Sequence, residues 1–143
     1  MITEVKTVQT PDLSARRDYA LLEATVPAGF PSPAADYEQD QLDLNKHLVN
    51  NPAATFFVRV AGDSMIGAGI HHGDLLVVDR SLEPRDKSVV IAVLNGELTV
   101  KRIRMNNKKI ALVPENPNYS PLEVAADTTF EVWGVVTSVI HKL

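Results

Sequence analysis

The stretch Thr55-Phe56-Phe57-Val58-Arg59-Val60-Ala61-Gly62-Asp63-Ser64-Met65 joins an apolar, β-branched run to a glycine, and a serine follows two residues later. A strand that stops at a glycine presents the next small residue at a turn, with its hydroxyl free of the ladder. If a short helix starts there, the backbone N–H groups of Ser64 and Met65 are unpaired at its N-terminus. Such groups can hold a developing oxyanion, which is usually the largest electrostatic contribution to acyl transfer. A competing interpretation makes Ser64 a simple helix cap. Deciding between them requires a base for Ser64.

The segments after this turn predict a mainly β domain. Asp74-Leu75-Leu76-Val77-Val78-Asp79 is apolar on both faces and fits a central strand. Ser88 to Leu94 is a third strand, and Asn95-Gly96 is the strongest short hairpin signal. Glu97 to Met105 returns, Asn106-Asn107 turns again, and Ile110 to Val113 follows. Pro114, Pro117 and Pro121 mark a loop, and Phe130 to Ile140 closes the chain as a long β-rich run. Successive short strands joined by tight turns argue an antiparallel architecture.

Upstream, the pattern weakens. Met1 to Val26 is a mixed, polar arm, with a short helix expected from Asp12 through Tyr19, Leu21 and Leu22. Pro27, Pro31 and Pro33 then fall within seven residues, which forbids a helix and favours an extended, exposed segment. That segment reads first as a linker; the alternative is a protease-susceptible chain, because Ala28-Gly29 presents almost no side-chain bulk. Asp43 is placed to cap a short helix from Leu44 to Val49.

Composition bounds the function. The 143 residues suit one domain, with 45% hydrophobic and 22% charged residues. A net charge of −4 argues against a general grip on nucleic acid. The absence of cysteine removes disulfides, thiolate metal sites and a cysteine nucleophile, and suits a reducing cytoplasm. No signal-peptide core and no bilayer-length apolar stretch is present.

The base is sought on the returning hairpin strand. Alternation puts Thr99, Lys101, Ile103 and Met105 on one face and Arg102 and Arg104 on the other. A free lysine has a pKa of roughly 10.4, and burial lowers it by several units. Arginine stays protonated. Lys101 therefore has the chemistry, although a strand lysine also commonly snorkels to solvent. His71 and His72 compete as bases, with Asp63, Asp74 or Asp79 as orienter. The His71-His72 pair, with His47 and His141 remote in sequence, is a weak metal signal, so neither metal nor cofactor is expected.

The ordered set Ala28-Gly29, Gly62-Asp63-Ser64-Met65, Gly69-Ile70, Gly73-Asp74 and Thr99-Val100-Lys101 resembles the LexA/UmuD-type self-cleaving Ser-Lys proteins, whose catalytic plan signal peptidases share. Phe30-Pro31-Ser32-Pro33-Ala34-Ala35-Asp36-Tyr37, Leu42-Asp43-Leu44-Asn45 and Asn118-Tyr119-Ser120-Pro121 resemble the UmuD branch in particular. The resemblance runs from about Ala28 to the C-terminus. Too few residues precede Ala28 for the helix-turn-helix domain of LexA-type repressors. UmuD is usually described with cysteine before the scissile glycine; the alanine here is like that of LexA.

The resemblance implies a compact LexA/signal-peptidase-like β domain of twisted antiparallel sheets over residues 29–143, preceded by a short, mobile N-terminal arm over residues 1–28. It implies Ser64 as nucleophile, Lys101 as general base, the N–H groups of Ser64 and Met65 as oxyanion donors, and Ala28-Gly29 as the bond cut. It further implies a bacterial cytoplasmic homodimer, activation by a RecA–single-stranded DNA filament, and service to a UmuC-type translesion polymerase in SOS mutagenesis. A non-catalytic scaffold that binds a polymerase, or a repressor fragment, is the alternative.

Overall fold

The structure, a computed structural model, describes residues 3–14, 18–22 and 39–143. The chain forms two compact units, one of Met1–Pro11 with Asn51–Leu143 and one of Asp12–Asn50. The Ala28-Gly29 pair lies outside the described residues.

In the smaller unit, β2 (Asp18–Leu22) pairs antiparallel with β3 (Gln39–Asp43), in register from Asp18↔Asp43 to Leu22↔Gln39. The helix expected through Tyr19 and Leu22 is thus a strand. Its alternative partner is remote in sequence, and pairing with β3 overrides a weak local preference. Helix α1 (Leu44–Leu48) begins where expected, with the Asp43 side chain accepting from the Asn45 N–H at 3.0 Å.

The larger unit is an eight-stranded antiparallel sheet. Its strands are β1 (Glu4–Gln9), β4 (Thr55–Ala61), β5 (Leu75–Asp79), β6 (Val89–Leu94), β7 (Glu97–Asn106), β8 (Lys109–Val113), β9 (Leu122–Glu123) and β10 (Phe130–Ile140). The order is β1-β4-β5-β10-β6-β7-β8-β9, and β1 also meets β7 through Glu4↔Thr99. Six strands therefore close into a ring, with β8 and β9 extending from β7. Residues 4–9, expected within a mobile arm, are the strand that completes this ring. Their alternation is poor because β1 buries little beyond Val5; its five other residues are exposed.

Two apolar cores follow from this topology. Val58 and Val60 of β4, Leu76 and Val78 of β5, Ile91 of β6 and Val100 of β7 pack together with Met65 and Ile70, and Val5, Val136 and Val139 complete that cluster. Val90 and Ala92 of β6, Ile103 of β7, Leu112 of β8 and Val135 of β10 form the second. Residues 90, 91 and 92 point alternately into different cores, so β6 is apolar throughout. Asn95 (φ 51°) and Gly96 (φ 83°) make the tight turn between β6 and β7. The next turn is carried by Asn107 and Lys108 (φ 47° and 67°), one residue later than expected. Among the described residues, no helix is long and apolar enough to cross a membrane.

Candidate active site

Strand β4 delivers Ser64 to the end of the ring. Gly62 at φ 98° makes the bend that a side chain would resist, and a single 3-10 turn, Ile66–Ala68, follows. The Ser64 side chain does not cap this turn, whose N-cap position is Met65 with no side-chain cap bond. The capping interpretation of Ser64 is therefore set aside. The amide N–H groups of Ser64 and Met65 have no acceptor among the described residues, which leaves them available as oxyanion donors.

The loop after β8 braces this turn from outside. Glu115 N–H donates to the Ser64 carbonyl at 2.8 Å, and Gly67 N–H donates to the Glu115 carbonyl at 2.7 Å. Asn116 Nδ2 donates to the Asp63 carbonyl at 2.9 Å, and the Tyr119 hydroxyl donates to Asp63 Oδ1 at 2.6 Å. Glu115 is itself held by an ion pair with Arg102 of β7. In the sequence this loop is marked by its prolines and by the UmuD-like Asn118-Tyr119-Ser120-Pro121, but neither shows which turn the loop will clasp.

Strand β7 supplies the cation. Lys101 Nζ donates to Ser64 Oγ at 3.1 Å, to Thr99 Oγ1 at 3.1 Å and to the Val100 carbonyl at 2.9 Å. Burial pulls Lys101 down to about 8. Near neutral pH a useful fraction is then the free amine, which can accept a proton. Snorkelling is not observed: the lysine head is turned inward onto the serine.

The histidines lie elsewhere. His72 Nδ1 accepts from the Gly62 N–H at 3.3 Å. His71 sits beside His141, with ring centroids 4.8 Å apart, and both approach the buried carboxylate of Asp74. His141 Nδ1 is 2.5 Å from Asp74 Oδ1, while Asp74 Oδ2 accepts from the His71 backbone N–H at 2.7 Å. The fold thus gathers His71, Asp74 and His141, a grouping that sequence spacing hid because 67 residues separate Asp74 from His141. Asp79 is engaged by Ser81 and Asn51. Among the described residues, the side-chain partners of Ser64 Oγ are Lys101 and Thr3.

Thr3 was missed altogether. Its N–H donates to Ser64 Oγ at 2.9 Å, and Ser64 Oγ donates to Thr3 Oγ1 at 2.8 Å. The Thr3 carbonyl accepts from Thr99 Oγ1 at 3.3 Å. Thr3 and Ser64 are both 0% exposed. Beside them, Leu98, Thr99, Lys101, Leu112, Tyr119 and Leu122 line a mostly apolar cleft.

A serine at a glycine bend on a closed antiparallel ring, with a half-buried lysine 3.1 Å from its hydroxyl, is an arrangement that suits a serine peptidase. The chain belongs to the S24-like peptidase family, whose model matches residues 20–137. It is 52% identical over 116 residues to protein SamA of Salmonella typhimurium, covering 81% of this chain and 80% of SamA. It is 44% identical over 113 residues to protein MucA of Escherichia coli, covering 78% of this chain and 77% of MucA. Both relatives are UmuD-like. The LexA repressor of Bordetella avium is more distant, 38% identical over 120 residues, covering 84% of this chain and 56% of the repressor.

Proposed function

We propose that this chain is a self-cleaving accessory protein of SOS mutagenesis, with Ser64 as nucleophile and Lys101 as general base. The observation that carries the reading is the 3.1 Å contact between Lys101 Nζ and Ser64 Oγ, made by a lysine pulled down to about 8. In its neutral form Lys101 takes the Ser64 proton as Oγ attacks the carbonyl carbon of Ala28. The N–H groups of Ser64 and Met65 stabilise the oxyanion. The lysine then passes the proton to the Gly29 nitrogen as the peptide bond breaks. Water, deprotonated by the same amine, hydrolyses the acyl ester and frees Ser64.

The kinship with SamA and MucA supports the wider role: a homodimer in the bacterial cytoplasm, cleaved in contact with a RecA–single-stranded DNA filament, whose product 29–143 joins a UmuC-type polymerase. The test is to incubate the purified chain with RecA, ATP and single-stranded DNA and to map new N-termini. A fragment beginning at Gly29, absent from Ser64→Ala and Lys101→Ala, is expected. A cut at another bond, or one that survives Ser64→Ala, refutes the assignment. A wild-type chain that remains whole while binding the polymerase would leave the scaffold role in its place.

A further inference from the structure

We infer that residues 3–9 are a resident occupant of the peptidase cleft, a strand of the chain itself that must leave before any scissile segment can reach Ser64. The inference rests on the self-cleavage proposed above and concerns what controls it.

Three observations carry it. First, Ser64 Oγ is saturated. It accepts from the Thr3 N–H and from Lys101 Nζ, and it donates its own hydrogen to Thr3 Oγ1. A nucleophile needs its proton directed at the base and a lone pair directed at a carbonyl carbon. Here the proton goes to Thr3, and Lys101 acts as a donor. Second, Thr3 fills the space in front of Ser64, since both residues are wholly buried. A scissile carbonyl would have to come within about 3–3.5 Å of Oγ, where Thr3 now stands. Third, the occupant is held as a strand. Glu4↔Ala61, Val5↔Val60, Thr7↔Arg59, Val8↔Val58 and Gln9↔Phe57 pair β1 with β4, and Glu4↔Thr99 pairs it with β7. This is β-augmentation: backbone pairing gives the grip and one inward side chain gives the fit.

The cleft is therefore a strand-accepting surface with two candidate occupants in one chain. The cleavage rate is the intrinsic rate multiplied by the fraction of molecules in which β1 has left. An activating partner can raise the rate by favouring the undocked state, without altering Ser64 or Lys101.

The test compares full-length wild type with Thr3→Arg during self-cleavage at alkaline pH. A long cation has no room at the buried Thr3 position and would lose its hydration there without an anionic partner. The variant should cleave about tenfold faster if β1 is docked in about nine molecules of ten. A synthetic peptide of residues 1–11, added to Thr3→Arg, should slow it again. Equal or slower cleavage by a variant with an unchanged thermal unfolding curve overturns the inference. Hydrogen exchange of the wild-type chain decides docking separately. Protected amides at residues 5–9 support it and freely exchanging ones overturn it. If no variant cleaves under any condition, self-cleavage fails as the function, while the exchange result still settles where β1 lies.

Discussion

The backbone N–H of Glu115 donates to the carbonyl oxygen of Ser64 at 2.8 Å, and the carbonyl of Glu115 accepts from Gly67 at 2.7 Å. One residue of a remote loop thus spans the serine turn like a rung of a ladder. It fixes the main chain on both sides of Met65, whose N–H is one of the two proposed oxyanion donors. A side chain at Gly67 would break the arrangement, because an added Cβ would stand 2.7 Å from the Glu115 carbonyl oxygen. Gly67→Ala should cost about 1–3 kcal/mol of stability, measured by urea unfolding. Self-cleavage should fall by more than the loss of folded protein accounts for.

Lys101 makes the second prediction, in pH. Its folded value of about 8 lies below the ordinary 10.5. Between these values the unfolded chain binds more protons than the folded one, so stability rises with pH across that window. The penalty is full below about 8 and is gone above about 10.5. Lys101→Met should stabilise the fold at pH 7 by on the order of 1–2 kcal/mol after allowance for solvent screening, with the gain vanishing near pH 10.5. Self-cleavage of the wild type should climb with pH and level off above about 8. Lys101→Arg should be inactive, because a guanidinium does not accept the serine proton. A rate profile centred near pH 6.5, lost in His71→Ala, would point to histidine instead.

Asp79 gives an acid-side test. Burial works against its ionised form, but donors from the Ser81 side chain, the Asn51 side chain and the backbone N–H groups of Ser81 and Leu82 outweigh it, and its pKa is lowered from 3.8. A depressed carboxylate stabilises the fold above its unfolded value, and that contribution is lost as pH falls through the folded value. Asn51→Ala removes the 2.7 Å bond to Asp79 Oδ2, so its acid unfolding midpoint should move to higher pH. An unchanged midpoint, followed by circular dichroism, would show that Asn51 does not hold the carboxylate.

Asp74 is buried, at 3% exposure, and holds both the His71 N–H and the His141 ring. Asp74→Ala would leave the His71 N–H without its acceptor and free the chain end at His141, at a cost of about 2–3 kcal/mol. His141→Ala, at the half-exposed end of the pair, should cost under about 1 kcal/mol. Thermal unfolding of the two variants checks the ranking.

Much of this fold was legible because its signals are local. Asn95-Gly96 announces a tight turn by backbone preference alone, and alternation correctly set Lys101 and Ile103 apart from Arg102. Asp43 announces its cap by side-chain chemistry. What was not legible depends on distant partners. Residues 4–9 carry one inward side chain, Val5, so no periodicity marks them as a strand; β4 and β7 make them one. Tyr19 to Leu22 have a helix-compatible pattern that β3 overrides. Thr3 has no distinguishing context in sequence, and its place against Ser64 arises only when the ring closes. The grouping of His71, Asp74 and His141 likewise needs the two ends of β5 and β10 to be laid side by side.

Strand β6, buried on both faces, has a consequence for the chain before it folds. Val89-Val90-Ile91-Ala92-Val93-Leu94 is six apolar residues without a charge, a glycine or a proline, most of them β-branched. Such a hexamer is a sticky segment in any unfolded or nascent chain. Charged residues stand on either side of it, Arg85, Asp86 and Lys87 before and Glu97 just past the turn, as gatekeepers against intermolecular stacking. The Asn95-Gly96 turn also gives it a partner within its own hairpin, which can form in microseconds. Slowing that turn, as Gly96→Val would at φ 83°, should show first as aggregation during synthesis and refolding, and only afterwards as lost stability of the finished protein.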